Sequence, residues 1–584
     1  MLRNFLAKLA GAAAPPPAQP APRAAVEARA CDEGYRALAE GRLDAAERLL
    51  REVLEAQPDL GRAQLALGDV LNATARAEEA LDCYQLAAHF APDLPDAHIA
   101  LANGLLGAQR AVEAEAACRN ALALDADSAA AWLCLGNALK AQARLDEAAD
   151  AYRAALAADT EFVNARQQLA FVEYRRGHYT AADAEFAALL QAVPDSAGAH
   201  HNAGLLYLET GRPEQALASF RRALALAPDT AESMACCGHA LRDLGRFDEA
   251  LTAYDAALRL RADFGDALSN RALTLLARGD YAAGWVQYEQ RFAASGTRPR
   301  TRGASPWRGE PLAGRSIAVL SEQGLGDELM FASCLPDLLA TGARVDVQCE
   351  PRLAALLARS FPAATVQARD GDAAVRPDYE ISIGSLPLHF RPARNAFPRS
   401  EGYLQADPVR IAHWRAQCGS GREARRIGLS WRGGTLRNRQ FLRSLALREL
   451  LPHLRVAEAR LFSLQAGDCG RELAQASAEC AIEVRDLAGV LGPSIDELAA
   501  AIAALDLVVT VDNTVAHLAG ALGRPVWILL PFSAEWRYGR DDARLDWYPS
   551  ARLFRQRAPL DWQPVLAELA CALATDGGVG GAAR

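Results

Sequence analysis

Lysine is nearly missing from this chain. Of 63 basic residues only Lys8 and Lys140 are lysine, so a phosphate met anywhere later in the sequence must be met by arginine, histidine or backbone N–H groups. The 12 cysteines include no CxxC pair and only Cys236 and Cys237 adjoin, which argues against a zinc site or a disulfide framework and for small buried residues in a reducing, cytoplasmic setting. No HExxH and no GxSxG occurs, so neither a zinc protease nor a nucleophile-elbow hydrolase is indicated. Long apolar runs are lacking as well. The opening MLRNFLAKLAG is too brief to cross a bilayer and breaks into Pro-rich sequence, so residues 1–26 read as a disordered Ala/Pro-rich leader without stable membrane insertion. An amphipathic, membrane-touching helix over residues 1–12 is the alternative. A net charge of -9, with both signs well mixed, gives no reason to expect nucleic acid as a partner.

What is present is a repeat. At 584 residues the chain is long enough for about four domains, unless part of it is an array without one central core. The segments GRLDAAERLL at 41, ARAEEALDCY at 75, QRAVEAEAAC at 109, ARLDEAADAY at 143, GHYTAADAEF at 177, GRPEQALASF at 211, GRFDEALTAY at 245 and GDYAAGWVQY at 279 start 34 residues apart. Five residues into each unit stands a small residue, Ala46 through Ala250 and then Gly284. Nine residues in stands a knob: Leu50, Tyr84, Cys118, Tyr152, Phe186, Phe220, Tyr254 and Tyr288. Seven residues before each start, a second small position holds Gly34, Gly68, Ala102, Gly136, Ala170, Gly204, Gly238 and Ala272. Small residues at these points let paired helices approach, and the knob fills the gap to the next pair. Pro58, Pro92, Pro194 and Pro228, each followed by an acidic residue, are expected to end one helix and cap the next. The pattern resembles the tetratricopeptide repeat, as eight units over residues 27–294, which implies a superhelix whose concave face holds a protein or peptide. Asn103 and Asn137 share one register, Asn202 and Asn270 another, and all four are candidate acceptor contacts. The other reading is that they tie adjacent helices together. The last unit departs from the pattern, with Trp285, Tyr288, Glu289 and Arg291 on a terminal helix expected to meet the next domain.

Residues 295–314 are rich in Gly, Pro and Arg and read as a linker. After them, short β-branched runs alternate with helix-length segments. SIAVL (316–320), RVDVQC (344–349), RIGLSW (426–431), RLFSLQ (460–465), AIEVRDL (481–487), DLVVTV (506–511) and PVWILL (525–530) predict parallel α/β sheets. The expected fold class is therefore an α-solenoid followed by two Rossmann-like lobes, over residues 315–410 and 411–584, with a cleft between them. Ligands bind beyond the carboxyl ends of such strands, which selects four loops. Gly324-Leu325-Gly326-Asp327 offers close backbone approach and a carboxylate, or only an N-cap aspartate. SWRGGTLRNRQFLRS offers Trp431, Arg432, Arg437, Arg439 and Arg443 around a Gly-Gly pair, either a diphosphate grip or a solvated loop. Gln465 suits a base edge or ribose. In VVTVDNTVAHLAG, Asp512 turns the chain while the amides of Asn513 and Thr514 face a phosphate, and His517 either touches the donor or packs beneath it. The Asp541-Asp542 pair reads as a solvated loop rather than a metal site.

Together EQGLGDELMFASCLPDL, GLSWRGGT, FSLQAGD and IDELAAAIAALDLVVTVDNTVAHLAGALGRPVWILLP resemble bacterial tetratricopeptide-repeat proteins whose second half is a GT-B glycosyltransferase. That half is similar to the heptosyltransferase family, and the domain plan is similar to O-GlcNAc transferase. The resemblance implies inverting, metal-independent transfer from a nucleotide sugar, which is a co-substrate and not a resident cofactor. It implies Asp327 as general base, and Gly324, Gly326, Asp512, Asn513, Thr514 and His517 at the donor. It places the phosphate cation near Arg432, where heptosyltransferases carry a lysine that this chain lacks. In the O-GlcNAc transferase plan, asparagines at the Asn202 and Asn270 register grip the acceptor backbone. The expected function is transfer of a sugar to a protein Ser or Thr selected by the repeats, with flagellin as a candidate acceptor. Glycolipid or polysaccharide assembly and a repeat scaffold with a degenerate transferase half are the alternatives.

Overall fold

The computed structural model describes residues 32–369, 376–399, 402–419, 424–434, 439–455, 459–487, 494–540 and 543–576. The leader, Arg437 and the Asp541-Asp542 pair lie outside them. The chain forms two compact units, one ending at Leu206 and the other beginning at Tyr207.

The repeat register is visible in the helix bounds. Leu43–Ala56, Ala77–Phe90, Ala111–Leu124, Leu145–Ala158 and Tyr179–Ala192 each begin 34 residues after the last and are 14 residues long. Between them run Gly61–Ala73, Pro95–Gly107, Ala129–Ala141 and Val163–Arg175, each of 13 residues. The small positions are small because the knob rings lie against them. A Cβ on Gly68 would stand 2.5 Å from the Tyr84 ring and one on Gly238 2.6 Å from Tyr254, and Gly136 meets Tyr152 in the same way. The buried tyrosines still need a partner for the hydroxyl. Tyr84 donates to Asp69 Oδ1 at 3.0 Å and Tyr152 to Asn137 Oδ1 at 2.8 Å, both from the residue following the small position. Asn137 is thus occupied in tying two helices of one repeat, and Asn103 at the same register is exposed and accepts only the Cys134 thiol, at 3.5 Å.

The turn inside each unit has one signature. The first residue of the motif adopts a left-handed backbone at Gly41, Gly177, Gly211, Gly245 and Gly279, and equally at Ala75, Gln109 and Ala143, where φ is 60°, 61° and 59°. Capping differs from the expectation. The acidic residue after each proline precedes the cap position, and Leu60, Leu94 and Thr230 at that position cap nothing through their side chains. Ser128 does cap, accepting from the Ala131 N–H at 3.3 Å.

The second unit continues the array through Pro213–Leu226, Ala231–Asp243, Phe247–Leu260 and Gly265–Arg278 to a shortened helix α1, Tyr281–Tyr288. The α/β region follows as two sheets. The first holds β1 (Ser305–Pro306), β2 (Ser316–Leu320), β3 (Arg344–Cys349), β4 (Thr365–Ala368) and β5 (Tyr379–Ser382), in the order β1-β5-β2-β3-β4, all parallel. The second holds β6 (Arg425–Ser430), β7 (Ala459–Ser463), β8 (Val484–Asp486), β9 (Leu507–Val511), β10 (Val526–Leu530), β11 (Arg544–Leu545) and β12 (Tyr548–Arg555). Its order is β11-β12-β10-β9-β6-β7-β8, parallel except for the β11–β12 pair. The seven expected strands are all there, while β1, β4, β5, β11 and β12 were not foreseen. The expected linker is partly a sheet edge, since β1 pairs with β5 and Trp307 beside it is buried. Cysteines of the described residues form no disulfide, and most are buried, with Cys571 exposed.

Two substitutions test the repeat geometry. Ala143→Gly relieves a side chain from the left-handed region and should stabilise the chain by about 0.5–1 kcal/mol, after the entropic cost of a glycine. Gly136→Ala drives a methyl into the Tyr152 ring and should cost about 1–3 kcal/mol. Thermal and urea unfolding of the full chain should shift in opposite directions.

Candidate functional site

The loops selected by the carboxyl-end rule converge in the second unit. The loop after β2 leads into α2, Leu325–Phe331. Gly324 is its N-cap in extended conformation, and Asp327 lies in the first turn with its N–H bonded to the Gly324 carbonyl at 3.0 Å. Asp327 is therefore not the cap, and its carboxylate is left for a partner outside its own helix. Gly326 has a packing reason to be glycine, because a Cβ there would stand 3.0 Å from the His517 ring. That ring belongs to α4 (Thr514–Ala521), a helix after β9 in the other sheet, which packs against α2.

Asp327 Oδ1 accepts from Arg537 Nη2 at 2.8 Å. Arg537 lies on the helical turn Trp536–Tyr538 after β10, so this contact bridges the two sheets. Burial works against its charge, but Asp327, Glu535 and Asp512 around it outweigh burial and raise it above the ordinary guanidinium value. Its Nε is buried without an acceptor among the described residues.

The Asp512-Asn513-Thr514 segment divides its tasks differently from the expectation. Asn513 is the helix cap, its Oδ1 accepting from Val515 N–H at 2.9 Å and Ala516 N–H at 3.3 Å. Its Nδ2 donates to Ser430 Oγ at 2.8 Å and the Arg432 carbonyl at 3.1 Å, which fixes β6 to the start of α4. Asp512 is 1% exposed; it accepts from the Tyr538 hydroxyl at 2.7 Å and pairs with Arg443 at 2.7 Å. Burial and that carboxylate hold the Tyr538 phenol well above its ordinary range, so it stays a donor. Thr514 opens the helix, and the cap takes the N–H groups of the two residues after it. His517 packs beneath. It is 2% exposed, and its Nδ1 sits 3.0 Å from the Tyr548 hydroxyl. Burial drives the imidazole down to about 3, Arg537 adds to this and Asp327 opposes it, so the ring is neutral, with Nε2 unpartnered among the described residues.

Several expected donor contacts have other work. Trp431 is wholly buried, its indole N–H donating to Glu472 on α3 (Gly470–Cys480) at 3.0 Å, so it is core and not a ligand wall. Gln465 Oε1 accepts from Ser430 Oγ and from the N–H groups of Trp431 and Arg432 at 3.1, 3.0 and 2.8 Å, leaving that oxygen no base edge to read. Arg432 pairs with Glu472 at 3.1 Å. Arg439, itself left-handed at φ 50°, reaches back to the repeats and binds Asp243 at 2.7 Å. Arg443 holds Asp512 and Glu535. Of the repeat asparagines, Asn202 is half-buried on Ala197–Glu209 in the first unit, and Asn270 accepts from Arg242 at 2.6 Å in the second.

Arg537 and Tyr538 were missed. They belong to PFSAEWRYGR, which matches no motif, yet it follows β10 and so falls under the same carboxyl-end rule. Beside these loops lies a cavity of about 680 Å³, lined by His239 and Asn270 of the last repeats together with Arg439, Arg443, Ser533 and Glu535. The end of the array is joined to both sheets. Trp285 donates to the Arg391 carbonyl at 2.9 Å, Tyr281 to Asp546 at 2.6 Å, and Gln323 to the Tyr288 hydroxyl at 2.5 Å. As expected for the terminal unit, its helix meets the next domain, through Trp285, which departs from the repeat pattern, and through Tyr281 and the knob Tyr288, which do not.

Comparisons with known proteins agree with the two textures. Residues 31–95, 99–161 and 197–230 match tetratricopeptide repeat families, and residues 238–279 match a further TPR repeat family. Residues 448–530 match glycosyltransferase family 9 (heptosyltransferase), a stretch that runs from before β7 through β10 and includes α4. The chain is 35% identical over 323 residues to Protein FlbA of Caulobacter vibrioides, covering 52% of this chain and 54% of that one, so it spans about half the length of this relative. Solved structures with similarity include the APC/C hetero-tetramer Cut9–Hcn1, at 17% identity over 46% of this chain and 52% of that one with a TM-score of 0.36. A tetratricopeptide repeat protein from Parabacteroides merdae is 18% identical over 43% of this chain and 98% of that one, with a TM-score of 0.35. These low scores add nothing to the repeat assignment, which stands on the 34-residue spacing. The chain thus carries segments that match tetratricopeptide repeats in its first half and, over residues 448–530, a segment that matches glycosyltransferase family 9.

Proposed function

We propose that the protein is a glycosyltransferase of GT-B plan that moves a sugar from a nucleotide sugar to a Ser or Thr hydroxyl of a protein, with inversion and without a metal. One observation carries this reading. A carboxylate on the first sheet, Asp327, faces a guanidinium and a helix N-terminus on the second, and all three stand at carboxyl ends of parallel strands. Breaking a sugar–phosphate bond needs charge relief on the departing phosphate, which Arg537 and the start of α4 are placed to give. The acceptor hydroxyl needs a base, and Asp327 is the carboxylate that faces this cation. In the transfer the acceptor oxygen attacks the anomeric carbon, Asp327 takes its proton, and the sugar–phosphate bonding pair leaves with the nucleotide.

A protein acceptor is favoured by the cavity that places repeat residues His239 and Asn270 beside Arg443 and Glu535. A lipid acceptor has no need of such an approach through the repeats. Flagellin is the first acceptor to try.

UDP-, GDP-, ADP- and CMP-sugars should be screened by thermal shift, and one should stabilise the chain, by about 2.7 kcal/mol at a hundredfold excess over Kd. Stabilisation by none of them overturns the transferase reading. Asp327→Asn should keep donor binding and lose about 10²–10⁴-fold in transfer rate; unchanged turnover removes Asp327 from the role of base.

For the acceptor route, Ser533→Trp should fill the cavity mouth. The expected result is donor stabilisation as in the wild type with transfer to protein lost. Transfer at the wild-type rate would place the acceptor path elsewhere.

A further inference from the structure

The sequence leaves open which cation meets the donor phosphate, and the structure narrows it. Arg432 is half-exposed and paired with Glu472 on α3. Arg439 is spent on Asp243 of the repeats. Arg443 cannot leave Asp512 without taking the paired cation from a carboxylate that is 1% exposed. Arg537 differs from Arg439 and Arg443 in that its partner Asp327 is only partly buried and tolerates exposure, and from Arg432 in that its partner stands on the other sheet.

Resting on the transferase reading, we propose that Arg537 has two positions, paired with Asp327 when the donor is absent and turned onto the donor's phosphate when it is bound. The two acceptors suit one guanidinium, because carboxylate and phosphate both present paired oxygens to its planar fork. The exchange also decides when the base is active. Asp327 Oδ1 accepts from Arg537 Nη2, so that oxygen is occupied and closed to an acceptor hydroxyl while Arg537 is on it. A phosphate that withdraws Arg537 delivers the cation to the leaving group and frees the base in the same movement. Donor binding then precedes acceptor deprotonation. His517 next to both stays neutral and adds no competing positive charge.

The test is calorimetric titration of the full-length chain with UDP, GDP, ADP and CMP. The wild type should bind at least one. Asp327→Asn should bind that nucleotide about tenfold more tightly, because no ion pair has to be broken first. Arg537→Gln should bind it about 10–100-fold more weakly, and Asp327→Asn added to Arg537→Gln should bring no tightening. Arg537→Lys, which keeps the charge, should recover part of the loss and guards against a folding artefact in the glutamine variant. Equal affinity of Asp327→Asn and wild type, or wild-type affinity in Arg537→Gln, overturns the two-position cation while leaving the transferase reading intact. No nucleotide binding by the wild type overturns both.

Discussion

The indole of Trp285 is the point on which the second unit depends. It is 1% exposed, and its ring meets Tyr288, Phe331, Trp536 and Trp547 edge-on at 5.6, 6.4, 5.6 and 6.2 Å between centroids. Those rings come from α1, from the last residue of α2, from the turn after β10 and from the segment before β12. A buried aromatic of this size contributes several kcal/mol through area and edge-to-face contact. Its geometric effect is more specific. Phe331 ends the helix that carries Asp327, and Trp536 immediately precedes Arg537, so the ring cluster fixes the spacing of the pair that bridges the sheets. The terminal repeat is thereby part of the site's framework, and it belongs to the same compact unit as both sheets.

The arginine-rich loop after β6 adds a second attachment. Arg439 reaches Asp243, Leu442 packs against Gly211, and Arg443 holds Asp512 at the end of β9. A loop that reads in sequence as a phosphate grip is, among its described residues, a clasp between the last repeats and the second sheet. The clasp ends in the cavity where Asn270 and Glu535 share a wall.

The array was legible because one geometry is repeated. Each unit presents the same small residue to the same knob, and the same left-handed turn recurs at a fixed register, so errors at Cys118 or Ala102 do not hide the pattern. Strands such as β2, β9 and β10 were legible because burial on both faces makes them continuous apolar runs. β12 was not, since Pro549 and the exposed Arg552 interrupt its run and its place beside β10 is set by pairing alone. At the site, position along the chain marked Asp327, Gly326 and His517 correctly as neighbours of strand ends. Sequence shows a residue's chemistry and not its partner, and on that ground Gln465, Trp431 and Arg439 looked like ligand contacts. Each is instead paired within the protein. Arg537 had no motif to announce it.

The scarcity of lysine gains a physical meaning from this arrangement. An ammonium is a compact, strongly hydrated charge that neutralises a phosphate well but holds no preferred plane. A guanidinium keeps its charge when buried, and its planar fork fits a carboxylate and a phosphate alike. Around Asp327 and Asp512 the cations are arginines, each matched to a carboxylate. The two pairs differ in what their separation costs. Arg443 with Asp512 is enclosed and braced by Tyr538, so it sets the shape of the helix entrance. Arg537 with Asp327 is the more open of the two, so a phosphate arriving at that entrance competes with one carboxylate and leaves the other in place.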